Sequence, residues 1–337
     1  PASLDDPSVV RRLSNLHPAA DDRDVLPLAN SGSLASSLVI TKETISEVIG
    51  ELPKESGAGL YSWTYELISM CWNHSESFKE TIQSFLQKMA TGSLAHGSIW
   101  LASRLIALQY PDSDKIRPIA ISDPWIRVGS RIISKLVLGE CGGYLTNHQL
   151  GIGKKGGAEI LVHTATMVKD AILSDPTSED SILALDCSNA FNTLRRSFIA
   201  EGIKEACPQL YDFFHWSYGS PVDLKANART TLLQSATGVR QGDPLGPLFF
   251  CLGIAKAFRA AMEAHSDLVL NVSFLDDIIL IGEASRTLKG FEDLQRKFRP
   301  LGLSFNRTKC RLFVRSNVVI TTDISRTADG ITVLGIP

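Results

Sequence analysis

The sequence predicts an α+β fold built around an antiparallel sheet. Apolar residues at helical spacing and short β-branched runs are mixed along the chain without regular βαβ alternation. The strand-like runs end at Gly, Pro, Asn or Asp clusters, the mark of tight turns. A hydrophobic content of 44% over 337 residues is enough to bury a sizeable core, as one large domain or two subdomains.

The elements follow in order. Residues 1–38 are rich in Asp, Pro, Ser and Ala and read as an extended, loop-rich extension with little core. In "TKETISEVIGELP" a Thr precedes Ile45, Val48, Ile49 and Leu52 at helical spacing, a capped helix. "WTYELISMCW" and "FKETIQSFLQKMA" predict two more helices. "IWLASRLIALQY" and "KIRPIAI" flank the turn cluster "PDSD", which predicts two strands joined by a mobile tip. "PWIRVGSRIISKLVLGECGGYL" and "AEILVHTATMVKDAIL" are helical. "SILALD" is a short apolar run ending in Asp186, and "SNAFNTL" starts like a helix. From "ANARTTLLQS" the pattern runs from strand through a Gly/Pro turn into a long apolar helix ending at "RAAM". "NVSFLDDIILIG" has the size of a hairpin with Asp276 and Asp277 at its tip. The basic amphipathic helix "RTLKGFEDLQRKFRPLG" and one or two strands in "LSFNRTKCRLFV" close the chain.

Charge and cysteine content narrow the function classes. The formal net charge of -2 gives no global reason to expect nucleic acid. Locally, however, Arg286, Lys289, Arg296, Lys297, Arg299, Arg307, Lys309, Arg311 and Arg315 face only Glu292 and Asp293, an excess that suits a polyanion or a solvated helix face. The six cysteines are scattered with no CxxC pair, which excludes a zinc knuckle or a compact disulfide framework and suits a reduced, intracellular protein. No apolar run is long enough to span a bilayer, and the N-terminus lacks signal-peptide order. The first residue is Pro, so the chain is expected to be a piece of a longer one.

Two adjacent aspartates in an apolar hairpin need compensation, because buried like charges are costly. Arg or Lys side chains, water at an exposed turn, or a divalent metal would each supply it. An ordinary polar turn is the plain reading of Asp276 and Asp277 alone. Asp186 changes the weighing: it ends another apolar run, where a strand would deliver it to the same end of a sheet. Three carboxylates converging at strand ends form the hard-oxygen environment that Mg²⁺ prefers, with substrate phosphates completing the shell. Two such ions, about 3.5 to 4 Å apart, promote in-line displacement at phosphorus.

At this point a family comes into view. "LALDCSNAFNTL", "GVRQGDPLGPLFF", "FLDDIILIG" and "GLSFNRTKCRLF" resemble, in this order, the successive motifs of reverse transcriptases, most of all those of non-long-terminal-repeat (LINE-type) retrotransposons. "LHPAADD", "GLYSWTYELI", "KIRPIAI" and "GIGKKGGAEILVH" resemble the N-terminal and fingers motifs of that group, and "ITVLGIP" the start of its primer grip. The resemblance implies a right-hand polymerase with fingers and palm, an antiparallel palm sheet flanked by helices, and no thumb. Residues 1–38 would be an N-terminal extension, 39–180 mainly fingers and 181–337 mainly palm.

The resemblance also implies the site. Asp186, Asp276 and Asp277 would form the catalytic triad, holding two Mg²⁺ ions, or Mn²⁺, with the backbone carbonyl of Cys187 as a further ligand. Phe191 would exclude a ribose 2′-hydroxyl. Gln241 and Gly242 would abut the incoming nucleotide and template base, and Arg240 is a further candidate for a nucleic-acid backbone contact. Arg117 would clamp the triphosphate. Many relatives carry a lysine at the start of the fingers turn; this chain has "LQYPDSDK" there, and Lys115 would substitute from the other side. Lys309 would protonate the pyrophosphate. The chain departs from the family in "FLDD", where retroviral relatives have an aromatic-Ala or aromatic-Met pair, and in "GLYSWTYEL", which lacks the common Pro-Asp-Gly turn.

The function implied is RNA-directed DNA polymerisation, adding dNMP to the 3′-hydroxyl of a DNA or RNA primer on an RNA template. It would serve retrotransposition, in a nuclear setting during integration and with no membrane involved. Thumb and endonuclease regions are expected elsewhere in the full-length protein. The alternative from another class is a domesticated, non-catalytic RNA-binding scaffold of the same fold, against which the retained carboxylates speak. An RNA-dependent RNA polymerase palm is disfavoured by Phe191 and the motif order. A nuclease is disfavoured because no Glu or His adjoins the aspartates.

Overall fold

The computed structural model describes residues 1–22, 24–27, 38–109, 115–145 and 148–336. The first half of the chain contains α1 (Pro7–Asn15), α2 (Lys42–Gly50), α3 (Tyr65–His74), α4 (Glu76–Ala90), α5 (Gly97–Leu101), β1 (Ser103–Gln109), β2 (Ile116–Ile121), α6 (Pro124–Leu145) and α7 (Gly157–Ser174). There follow β3 (Asp180–Leu185), α8 (Ala190–Thr193), α9 (Arg196–Ala206), α10 (Tyr211–Tyr218), β4 (Val222–Lys225), β5 (Thr231–Ser235), α11 (Gly246–Met262), β6 (Leu270–Phe274), β7 (Asp277–Glu283), α12 (Ala284–Phe298), β8 (Arg311–Val314) and β9 (Ser325–Thr327). The expected tip "PDSD" lies outside the described residues.

The chain divides into two compact units that interleave along the sequence: Pro1–Leu138 with Phe191–Phe249, and Gly139–Ala190 with Phe250–Pro337. The interleaving arises because the chain, having laid down β3, returns to pair β4 with β1.

In the first unit a four-stranded sheet has the order β2-β1-β4-β5. β1 and β2 are antiparallel, with Arg104 opposite Ile121 and Gln109 opposite Ile116. β1 and β4 run parallel. Helices α2, α3 and α4 begin at Thr41, Thr64 and Ser75, whose hydroxyls accept the backbone N–H three residues on, satisfying donors the helix leaves unpaired. The N-terminal extension departs from expectation. Asp6 caps α1, Pro7 occupies its first turn, and Val9 and Leu13 bury against Leu105, Ala107, Ile116 and Leu224 of the sheet. Their i, i+4 spacing makes one apolar stripe in a segment otherwise polar enough to read as loop.

In the second unit the order is β6-β7-β3-β8-β9. Its pairs are antiparallel except β8 with β9, which are parallel. β7 is buried along five consecutive residues, Ile278 to Gly282, as expected of a strand covered on both faces. One face packs Ile182, Ile279, Ile281 and Phe313 against Leu161, Ala165 and Ile172 of α7. On the other face Ser181 meets Thr287 of α12, hydroxyl to hydroxyl, at 2.9 Å, following the alternation of side chains along a strand. The expected antiparallel sheet flanked by helices is thus present, with one parallel pair at its edge. Among the described residues no helix is long and apolar enough to cross a membrane. None of the six cysteines is in a disulfide.

Asp123, just before α6, is 1% exposed and has a carboxylate oxygen, Oδ2, without a hydrogen-bond partner. Its Oδ1 accepts the Trp125 N–H at 3.0 Å. Burial raises the carboxyl above its ordinary value of 3.8, so the folded state favours the protonated form. The contribution to stability is full below that ordinary value and is lost as pH rises through the raised one. Asp123→Asn keeps the acceptor and removes the charge. At pH 7 it is expected to stabilise the chain by about 1 kcal/mol or more, read by urea unfolding. The gain should shrink toward zero as pH approaches 3.8; an equal gain at both pH values would contradict the assignment.

Candidate active site

The geometry of the acidic residues follows from one register. β3 pairs antiparallel with β7, from Asp180 opposite Glu283 to Leu185 opposite Ile278. Continuing that register by one residue sets Asp186 opposite Asp277, the first residue of β7. β6 and β7 close on a two-residue turn, Leu275-Asp276, with Phe274 opposite Asp277. The three carboxylates therefore share one end of the second unit's sheet. The premise that they are buried needs correction: Asp277 is exposed, and Asp186 and Asp276 are half-buried. Standing at a strand end with part of their surface open, they escape the full desolvation that the apolar run around them would impose.

The backbone beyond β3 is tied down separately. Asp186 accepts the Asn306 N–H through its carbonyl at 2.8 Å, and Ser188 donates to Ser304 O at 2.8 Å. Cys187 bridges Phe305 between them. Cys187 is 8% exposed. Its pKa is pushed well up, first by burial and then by the charges of Asp276 and Asp186, with Cys310 and Asp277 adding less. One sulfur thus feels all three carboxylates. Lys309 Nζ lies 3.9 Å from Asp186 Oδ2, with both side chains partly open to solvent.

Among the described residues no three His, Cys, Asp or Glu side chains form a ready-made metal cage. The donor set still suits a hard cation. Carboxylate oxygens at an open strand end match Mg²⁺, which binds through one or two carboxylates and keeps positions for water and phosphate.

The other expected residues belong to the first unit. Lys115 precedes β2 and is exposed; Arg117 stands on β2 and is exposed, between the buried Ile116 and Pro118. β2 is an edge strand, and its free side receives the loop of "RQGDP". The Ala120 N–H donates to Gln241 O at 2.7 Å. Gly242 has φ +113, and a Cβ there would lie 2.5 Å from the Ala120 carbonyl oxygen, so only glycine permits both the backbone conformation and the approach. Arg117 and the Gln241-Gly242 pair thus come within three residues of each other along one strand. Phe191 lies on α8, half-buried, and its carbonyl accepts the Val239 N–H of the same loop at 2.7 Å.

Arg240 does not face outward as expected. It is 3% exposed, and its guanidinium sits 4.1 Å over the Tyr218 ring, with that of Arg196 5.2 Å from the same ring. Arg240 donates to Ser217 O at 3.0 Å and to Asp243 Oδ2 at 3.3 Å. Tyr218 donates its hydroxyl to the same Asp243 oxygen at 2.6 Å. Arg196 donates to the carbonyls of Gly238, Tyr218 and Ser235 at 3.1, 2.8 and 3.0 Å. Burial, then the Arg240 charge, lower its pKa to about 9, which leaves it charged at neutral pH. Arg196, Tyr218, Arg240 and Asp243 therefore hold the loop that carries Gln241 and Gly242. Their sequence signal is faint, because Arg196 and Tyr218 are distant in the chain from the motif they support.

The basic excess is also partly internal. Arg286 pairs with Asp267 and Glu283, Arg296 with Asp293, and Arg307 with Asp323. Arg311 and Arg315 donate to backbone carbonyls.

Comparison with known proteins brings this geometry to a family. Residues 109–337 match the family described as Reverse transcriptase (RNA-dependent DNA polymerase). The Retrotransposable element SLACS 132 kDa protein of Trypanosoma brucei gambiense is 24% identical over 275 residues, 80% of this chain and 22% of that protein. The Retrovirus-related Pol polyprotein from type-1 retrotransposable element R2 of Nasonia vitripennis is 25% identical over 288 residues, 80% of this chain and 26% of that protein. The chain spans about a quarter of the length of these relatives. A family match over more than half the sequence, covering every motif from "KIRPIAI" onward, makes the chain a member of the reverse transcriptase family.

Proposed function

We propose that this domain is an RNA-directed DNA polymerase that extends the 3′-hydroxyl of a DNA or RNA primer by dNMP on an RNA template, in the service of retrotransposition. The observation that carries the reading is the β3 to β7 register, which puts Asp186 beside the Asp276-Asp277 turn. In this reading residues 39–180 serve mainly as fingers and 181–337 mainly as palm.

Asp186 and Asp276 would hold two Mg²⁺ ions, with Asp277 more peripheral and the Cys187 carbonyl a further ligand. Bound there, the ions supply charge neutralisation at the attacking and leaving oxygens of the displacement. The chain's own groups do the rest. Arg117 and Lys115 take the triphosphate oxygens, and Gln241 and Gly242 bear on the nucleotide and template base. Phe191 fills the space under the sugar that a 2′-hydroxyl would need. As the primer 3′-oxygen bonds to the α-phosphorus, the bond to pyrophosphate breaks, the hydroxyl proton passes to solvent, and Lys309 gives a proton to the departing pyrophosphate.

Primer extension on an RNA template tests the reading. Asp276→Asn is expected to lower kcat by at least about 100-fold while the chain melts as the parent does. Equal extension by both proteins would remove the catalytic assignment and leave the scaffold reading. Phe191→Ala is expected to raise ribonucleotide use relative to deoxynucleotide use by roughly 10-fold, measured as the ratio of kcat/KM values. An unchanged ratio would take Phe191 out of sugar selection.

A further inference from the structure

The turn that presents Asp276 is strained. Leu275 has φ +57, the left-handed region that an L side chain with a bulky group adopts only at a cost. Such a conformation persists when the surroundings over-determine it, and here one side chain does so. Gln149 is 3% exposed. Its Oε1 accepts the Leu275 N–H at 2.8 Å and the Gly151 N–H at 2.8 Å. Its Nε2 donates to the Leu275 carbonyl at 3.3 Å and to Ser273 Oγ at 3.0 Å. Ser273 Oγ in turn donates to His148 O at 2.8 Å, which leaves it an acceptor for Gln149.

This pattern uses both acceptor positions and both donors of one carboxamide, and the opposite amide orientation would set its NH₂ against two N–H groups. Backbone bonds fix the strap that carries it: Leu150 N donates to Ser273 O and Ser273 N to His148 O, each at 2.8 Å. Gly151 leaves room for the clamp, since a Cβ there would lie 2.9 Å from Leu275 Cδ2 and 3.0 Å from Gln149 Oε1.

We infer that Gln149 is a positioning residue for the carboxylate turn: by gripping both the N–H and the carbonyl of Leu275 it holds that residue left-handed and so fixes where Asp276 and Asp277 point. The inference rests on the polymerase reading for its consequence, though the grip itself does not.

The test uses the full chain as Gln149→Met, Leu275→Gly, the two together, and Asp276→Asn. It reads amide hydrogen exchange at Leu275, the Mn²⁺ dissociation constant by electron paramagnetic resonance, and kcat and KM of single-nucleotide extension. Gln149→Met is expected to speed exchange at Leu275 while Ile182 and Leu280 in the central strands keep the parent's rates. It should weaken Mn²⁺ binding and lower kcat by roughly 10- to 100-fold with the dNTP KM unchanged, the split of a misplaced group rather than lost substrate binding. Leu275→Gly in that background should recover most of the loss, because glycine takes a positive φ freely. Parent-like Leu275 exchange and Mn²⁺ binding in Gln149→Met, or no recovery in the pair, would overturn the inference. Should Gln149→Met not fold, exchange in the parent decides: a protected Leu275 amide supports the clamp, and one exchanging like an exposed turn overturns it. Parent-like Mn²⁺ affinity in Asp276→Asn would instead contradict the metal reading, with Leu275 exchange still deciding the grip.

Discussion

The pairing of β3 with β7 is the constraint on which the rest depends. Side chains alternate along a strand, so a slip of one residue would turn Ile182, Ile279 and Ile281 out of the α7 core and carry Asp186 away from its place opposite Asp277. Burial on both faces therefore enforces the same register that gathers the carboxylates. The hydrophobic core of the second unit and its acidic strand end are one decision made by the chain. Strands buried on both faces tolerate charged residues only where they emerge, which is where Asp186, Asp276 and Asp277 stand.

The first unit solves a related problem by other means. Its "RQGDP" loop has no sheet to define it, so the definition comes from a tyrosine ring held by two guanidinium groups and from the carboxylate of Asp243. Buried charges of this kind cost free energy unless each is paired or bonded. Arg196 is satisfied by carbonyls, and Arg240 is held by a carbonyl and a carboxylate at its two terminal nitrogens while its Nε is buried without a partner, so the network rigidifies a loop rich in Gly and Pro. The edge of β2 and the glycine at 242 complete the arrangement, leaving Arg117 exposed on the same strand.

Much of this was legible in the sequence where the signal is local. "SILALD" and "NVSFLDDIILIG" give strands with acids at their ends, and "GPLFFCLGIAKAFRAAM" and "RTLKGFEDLQRKF" give helices, because period and punctuation sit in adjacent residues. What was not legible is what distance in the chain conceals. The parallel pairings of β1 with β4 and β8 with β9 bring together segments that share no pattern. The aromatic helix α10, "YDFFHWSY", is short and rich in residues that favour strands. α1 announces itself only by Asp6 and Pro7 in a segment otherwise like a loop. Gln149 is one polar residue in a connecting strap, and nothing beside it in the sequence marks the turn it holds 126 positions on.

The most direct test of the central claim is anomalous diffraction from a crystal of this chain grown with Mn²⁺, a primer on an RNA template and an incoming dNTP. The account predicts manganese bound jointly by Asp186 and Asp276, against the triphosphate. Manganese held by Asp276 and Asp277 alone, with Asp186 turned away, or bound elsewhere on the chain, would contradict it.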